Sequence, residues 1–178
     1  MTLNTDTNTL VANKRRYRVT RVRKFNRLPA EIKQKAIEHY CDINVNHNWW
    51  DFTYDDAKEV GLKITGFDLN GTIEANITGD PTTYMACAEA IVENHGKDTD
   101  TYKLAAPFFV KWYLQGDGYE ERGLLDEYLE EAEEFEAELK RCYLKMLQRE
   151  YEYLTSEEAV VETLIANDYE FDNNGKIA

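Results

Sequence analysis

The chain has 178 residues, of which 43% are hydrophobic, and this composition is enough to form the core of a single globular domain. No stretch approaches the roughly 20 apolar residues that a membrane-spanning helix requires, and the polar N-terminus lacks the apolar region of a secretory signal. The net charge of −13 disfavours non-specific attraction to DNA, RNA or anionic lipid.

The first sixty residues are predicted to contain a disordered tail, a strand and two helices. Residues 1–13 show no apolar periodicity and are expected to be disordered, whereas residues 14–178 are expected to form one α+β domain. The segment Tyr17–Phe25 carries apolar residues between basic ones, which is typical of an edge strand. Helical spacing of apolar residues predicts helices over about 29–43 and 48–60.

An Asn-Gly pair between two apolar segments is the clearest turn signal in the chain. Lys63–Leu69 and Thr72–Thr78 flank Asn70 and Gly71. Both central residues of a type I′ turn need a positive φ, and the Asn-Gly pair tolerates this best. The pattern therefore predicts a β-hairpin.

Two helices are predicted after the hairpin. Asp80 and Pro81 suit the N-cap and the first position of a helix that continues to His95. The next helix is expected over about 99–115, and Pro107 inside it is expected to kink or divide it.

The longest predicted helix covers about 119–153 and would span on the order of 50 Å, which leaves one end to project or to pair with another chain. Its apolar residues follow steps of three and four, with Arg149 as the one polar interruption, which marks one continuous seam: Leu125, Tyr128, Ala132, Phe135, Leu139, Cys142, Met146 and Tyr153. Thr155–Glu158 fits a capping box for a last helix, and Tyr169–Phe171 fits a short strand.

Together these elements predict a helix-dominated α+β fold. A small antiparallel sheet, made of the N-terminal strand and the Asn-Gly hairpin, is expected to pack with several helices and with the long helix of the C-terminal half.

The long helix also carries the most suggestive charge pattern. Six glutamates recur at helical spacing and form a row of carboxylates beside the apolar seam: Glu127, Glu130, Glu131, Glu133, Glu134 and Glu138. Side chains three or four residues apart lie about 5–6 Å from each other on a helix surface. The row is predicted to bind a partner with a basic groove, against the alternative that it is only a solvated helix face.

Catalytic residues and cofactor motifs are not recognisable in the chain. Ser156 is explained by the capped start of the last helix. The scattered cysteines are expected to be buried, reduced thiols in the cytoplasm: Cys41, Cys87 and Cys142. The pair Trp49-Trp50 is expected to place one ring in the core and the other at its rim. No metal site and no cofactor are therefore predicted.

Several segments of the chain carry a resemblance to a known family: Leu28–Glu38, Trp49-Trp50, Tyr54–Asp56, Gly61–Asp68, Gln148–Ala159 and Glu162–Phe171. On these segments, the chain resembles a family of small bacteriophage and prophage proteins, some of which are labelled antitoxin-like. The resemblance implies a viral protein in the cytoplasm of a bacterial host, where such accessory proteins often bind and disable host factors. It implies no catalytic residue.

Three classes of function follow from these observations. The first is a phage-encoded, non-enzymatic inhibitor of a host nucleic-acid-binding protein, such as a CRISPR effector or a defence nuclease, which would act by acidic mimicry of nucleic acid. The second is an antitoxin-like or regulatory protein that pairs through its long helix with a partner or with a second copy. The third, least favoured, is a metal-dependent hydrolase that uses His47, Asp51 and Asp55. Direct binding of nucleic acid is not expected.

Overall fold

A computed structural model describes residues 22–79, 82–116 and 122–178. The chain divides into two compact units. One comprises Met1–His39 with Leu164–Ala178, and the other comprises Tyr40–Thr163. The predicted helix-dominated α+β class is confirmed. The predicted tail over residues 1–13 lies outside the described residues.

Helices provide most of the described structure, and four short strands accompany them. The helices are α1 Ala30–His39, α2 Asp51–Glu59, α3 Thr82–Asn94, α4 Asp100–Gln115, α5 Leu125–Leu154 and α6 Glu157–Ala166. The strands are β1 Arg23–Lys24, β2 Leu62–Asp68, β3 Thr72–Ile77 and β4 Glu170–Phe171.

The strands form two separate antiparallel pairs, and the expected single sheet is wrong. β1 pairs with β4, and β2 pairs with β3. Long-range contacts select β4 as the partner of β1, because Lys24 Nζ lies 2.8 Å from Asp168 Oδ2 and the ring of Phe25 meets that of Phe171 at 5.9 Å. Of the predicted strand Tyr17–Phe25, the residues up to Arg21 lie outside the described part.

The predicted hairpin is confirmed, but its turn is not type I′. Asp68 pairs with Thr72, so the loop contains three residues, and Gly71 N donates to Asp68 O at 3.0 Å. Gly71 has a φ of 127°, whereas Asn70 does not take a positive φ. Asp68 Oδ1 accepts from the backbone and side-chain nitrogens of Asn70, both at 2.8 Å, and this Asx turn replaces the predicted one.

The helices before α5 begin and end close to the predicted positions, except that α1 ends at His39, four residues before its predicted end. Thr99 caps α4 by accepting from Tyr102 N at 3.2 Å, and α4 continues through Pro107, so the proline does not divide the helix. Trp49 lies just before α2 and is buried against Phe67, with ring centroids 5.7 Å apart, as the core interpretation of the tryptophan pair predicts. The predicted cap residues Asp80 and Pro81 lie outside the described ranges.

α5 is the central helix of the larger unit and packs against α2, α4 and β3. It has 30 residues, which correspond to about 45 Å, and it begins at Leu125, later than predicted. The predicted apolar seam is confirmed in the first half of the helix only. Beyond Leu139 the buried positions are Tyr143, Leu144 and Leu147, whereas Tyr153 is exposed. A straight helix has 3.6 residues per turn, so its core face drifts away from a strict seven-residue repeat.

The seam belongs to the core of this chain. Phe135 is 3% exposed and Leu139 is fully buried, with Phe135 stacked on Phe108 at 4.7 Å. The hypothesis that these two side chains clasp a second helix is therefore not supported, because they have almost no surface to offer a partner. Pairing through another face of α5 stays a prediction.

The last helix begins with a cap different from the predicted one. Ser156 Oγ accepts from Ala159 N at 3.3 Å, whereas the Thr155 hydroxyl donates to Tyr151 O at 2.8 Å. Thr155 therefore ends α5, and Ser156 starts α6. The reason is that the two helices are joined with almost no linker, so each of these hydroxyl groups serves a different helix end.

Candidate functional site

The first half of α5 concentrates negative charge on one side of a well-anchored helix. Between Leu125 and Leu139 the sequence has eight carboxylates and no basic residue, and we call this segment the acidic half of α5. Burial of Tyr128, Ala132 and Phe135 holds its inner face in the core. Like charges three or four residues apart cost a few tenths of a kcal/mol per pair, so this packing offsets the repulsion.

The six predicted glutamates do not form one uniform row. At about 100° per residue, they divide between two faces of the helix. The first group lies on the flank that faces α4, and the second lies on the side away from the core. The flank group is Glu127, Glu131, Glu134 and Glu138, and the outer group is Glu130 and Glu133.

Lys111 of α4 neutralises part of the flank group. Its Nζ lies 2.5 Å from Glu131 Oε1 and 2.9 Å from Glu127 Oε1, and these hydrogen bonds, first to Glu131 and then to Glu127, raise the pKa of Lys111. The same Nζ lies 4.8 Å from the ring centroid of Trp112, whose Nε1 donates to Glu131 Oε2 at 3.0 Å. One cation is therefore already held in this environment by two carboxylates and an aromatic face.

The flank group also loses part of its charge at its other end, where Arg141 pairs with Glu138. Glu127, Glu131 and Glu138 thus each meet a cation, so the predicted row of carboxylates is partly neutralised within the chain. For Glu130, Glu133 and Glu134, no ion pair occurs within residues 22–79, 82–116 and 122–178. Of the six predicted glutamates, these three are the ones that the described structure leaves for a partner.

A groove separates α4 from the acidic half of α5. It has a volume of about 300 Å³, and its floor consists of Leu104, Pro107, Phe108 and Phe135. Its rim carries Lys111 on the α4 side and the carboxylates of the flank group on the other side. The groove between α4 and α5 therefore places an apolar surface directly beside negatively charged side chains.

A second cavity, of about 440 Å³, contains a hydrogen-bonded network that sequence reasoning missed. Tyr143 donates from its hydroxyl to Asp56 Oδ2 at 2.8 Å, and His95 Nε2 lies 3.6 Å from Asp56 Oδ1. His95 Nδ1 lies 2.7 Å from the hydroxyl of the buried Thr101. These residues come from four different helices or their ends, so no local motif could have revealed them.

The polar groups of the network Asp56, His95, Thr101 and Tyr143 are used in contacts with one another. Within the described residues, no buried side-chain nitrogen or oxygen lacks a hydrogen-bond partner. Burial raises the pKa of the Cys142 thiol, which lines the cavity, so this thiol stays protonated and is a poor nucleophile. The network therefore contains no buried polar atom without a partner, and Cys142 is not an activated nucleophile.

Removal of the Tyr143 hydroxyl tests whether the network stabilises the fold. Burial, followed by the neighbouring Asp56 carboxylate, holds the pKa of Tyr143 far above its usual value, so the phenol stays a donor. We expect Tyr143→Phe to lower the free energy of unfolding by about 1–2 kcal/mol, as measured by urea denaturation. The exposed Tyr153 provides the control, since Tyr153→Phe should cost less than about 0.5 kcal/mol. Equal costs for the two variants would contradict a structural role of the network.

The remaining chemical candidates of the sequence are separated or unreactive. In the part of the chain that the structure describes, no group of three His, Cys, Asp or Glu side chains is arranged to hold a metal ion, and this includes His47, Asp51 and Asp55. Cys87 is buried, which raises the pKa of its thiol to about 12, but Cys41 is exposed, so the expectation that all three thiols are buried is wrong. Cys41 lies in the irregular segment that follows α1.

Comparison of the chain with protein-family models, with curated proteins and with solved structures finds no match. None of the helices in the described ranges combines the length and the hydropathy that crossing a bilayer requires.

Proposed function

We propose that this chain is a non-enzymatic binding protein whose acidic half of α5 occupies the basic groove of a nucleic-acid-binding protein and thereby inhibits it. The observation that carries the proposal is the run of eight carboxylates without a basic residue on a helix whose inner face is fixed in the core. A rigid helix presents its charges without the entropic cost of ordering a flexible segment.

The charge spacing of the helix is of the right order for this role. Eight carboxylates over fifteen residues give one negative charge per about 3 Å of helix axis, while one strand of duplex DNA carries one phosphate per about 3.4 Å. Four of the eight carboxylates are paired within the chain, because Lys111 meets Glu127 and Glu131, Lys140 meets Glu136, and Arg141 meets Glu138. These cations bring the net charge density of the helix below that of a single strand of DNA.

The kind of target follows from the sequence resemblance together with this charge. A phage protein in a bacterial cell meets host defence proteins that bind nucleic acid, such as CRISPR effectors and nucleases, and these have positively charged grooves. We propose that the target belongs to this class. An antitoxin-like protein would present its surface to a toxin instead, and the same binding experiment distinguishes the two.

The experiment compares two triple variants of equal charge. Glu130→Gln, Glu133→Gln and Glu134→Gln are combined in the test variant, because these residues make no ion pair in the described structure. The control variant combines Glu150→Gln, Glu152→Gln and Glu162→Gln, which are equally exposed and lie outside the acidic half. Each protein is immobilised, exposed to a bacterial lysate, and the captured proteins are identified and titrated.

We expect the wild-type chain to capture a protein that a DNA or RNA oligonucleotide displaces, with binding that weakens as salt rises from 0.1 to 1 M because the screening length falls from about 10 Å to about 3 Å. At about 0.5 kcal/mol per rim charge, the test variant should bind about ten-fold more weakly, while the control variant binds like the wild type. A captured protein that binds the test variant as tightly as the wild type, or that does not bind nucleic acid, would contradict the proposal.

A further inference from the structure

The groove between α4 and the acidic half of α5 combines two properties that suit one type of side chain. Its floor is apolar, with the accessible surface supplied by Leu104 and Pro107 above the buried rings of Phe108 and Phe135, and its rim carries three carboxylates beside Lys111. A long alkyl stem can lie on the floor while a positive head group meets the rim, as lysine and arginine side chains do on other amphipathic surfaces. An acidic surface that attracted its partner through charge alone would not need an apolar floor beside its carboxylates.

We propose that this groove is the anchor point of the partner and takes the side chain of one of its arginines, with the guanidinium on Glu134. The inference rests on the proposed function, since it assumes a basic partner. Arginine fits better than lysine because its planar guanidinium is weakly hydrated and bonds a carboxylate through two nitrogens.

Lys111 shows that the groove already accommodates a cation at one end. Its Nζ is held by Glu127 and Glu131 and lies 4.8 Å from the ring centroid of Trp112. Glu138 at the other end pairs with Arg141. Glu134 lies between these two pairs on the same flank, three residues after Glu131 and four before Glu138, and is exposed.

Glu134 is therefore the one rim carboxylate of the groove that no ion pair engages within the described ranges. A guanidinium placed there would pair with Glu134, as Lys111 pairs with Glu131 and Arg141 pairs with Glu138 on either side of it. The charges of the rim and the apolar floor together select this occupant over a neutral or an anionic side chain.

The test uses octa-arginine and octa-lysine peptides of equal charge as ligands. Their dissociation constants are measured by fluorescence anisotropy at 0.05 M and 0.3 M NaCl for the wild type and for two single variants. Glu134→Gln removes the groove carboxylate, and Glu130→Gln removes the same charge from the outer face of the same helix. Circular dichroism confirms that both variants fold.

We expect the wild type to bind octa-arginine at least about five-fold more tightly than octa-lysine. Glu134→Gln should reduce this preference to within about two-fold, whereas Glu130→Gln should retain it while both peptides bind slightly less tightly. In NMR spectra, the amide signals of Leu104, Phe108 and Lys111 should shift more with octa-arginine than signals near Glu130.

Two results would overturn the groove as an anchor. If both variants lower the binding of both peptides equally, the surface acts only through its charge, and the proposed function stands without the groove. If neither peptide binds the wild type at 0.05 M NaCl, the acidic half attracts no cationic ligand, and the proposed function fails together with the anchor.

Discussion

Replacing Phe135 with alanine is expected to lower the free energy of unfolding by about 3–5 kcal/mol, which is the largest effect we predict for a single side chain. Phe135 is 3% exposed, and its ring is stacked on that of Phe108 with centroids 4.7 Å apart and an interplanar angle of 4°. The substitution removes this contact and leaves a cavity between α4 and α5. Urea denaturation, followed by circular dichroism, measures the change.

The same substitution at Phe52 provides a matched control. Phe52 is 89% exposed, so Phe52→Ala should change the free energy of unfolding by less than about 0.5 kcal/mol. If Phe135 instead contacted a second chain, Phe135→Ala would change the molecular mass in sedimentation experiments, and the stability of the wild type would rise with protein concentration. That result would revive the hypothesis that the seam of α5 clasps another helix.

Replacing Gly175 with alanine is expected to destabilise the smaller unit by about 2–4 kcal/mol, because two separate costs add. Gly175 has a φ of +80°, which a residue with a Cβ rarely adopts. A Cβ built at Gly175 would also lie 2.9 Å from Ala36 N and 3.1 Å from Ile32 O, both in the backbone of α1. Backbone atoms within a helix cannot move aside as the end of a flexible side chain can.

Gly123 provides a control that separates the backbone cost of a positive φ from the steric cost of the added Cβ. It has a φ of +69°, and apart from its chain neighbours no atom of the described residues lies within 4 Å of a Cβ built there, so Gly123→Ala is expected to carry only the backbone cost of about 1–2 kcal/mol. Urea denaturation compares the two variants, and amide hydrogen exchange in α1 and β4 shows whether the loss is confined to the smaller unit. Equal losses in the free energy of unfolding for the two variants would show that the turn at Gly175 does not pack against α1.

The position of the acidic half within the fold decides which carboxylates can serve a partner. Its helical spacing suggests six equivalent glutamates, but the fold places α4 against one flank and brings Lys111 between Glu127 and Glu131. The experiments proposed above therefore change Glu130, Glu133 and Glu134, since changing Glu131 would also break its bond to Trp112. A loss of binding in those variants can then be attributed to the surface and not to a disturbed core.

Local signals in the sequence predicted several elements correctly. The period of apolar residues predicted the helices and the buried face of the first half of α5, and Asn70-Gly71 predicted the hairpin, because such patterns depend on residues a few positions apart. The same patterns were less accurate at the ends of elements. They assigned the cap of α6 to Thr155, although a hydroxyl one residue later serves the helix.

The sequence by itself therefore determined the fold class, the core face of α5 and the concentration of carboxylates on that helix. Only the tertiary structure decided that β1 pairs with β4, that Lys111 neutralises part of the acidic flank, and that Asp56, His95, Thr101 and Tyr143 form one network. The physical reason is that periodicity specifies which side of an element is buried or charged, but it contains no information on which distant element will face that side.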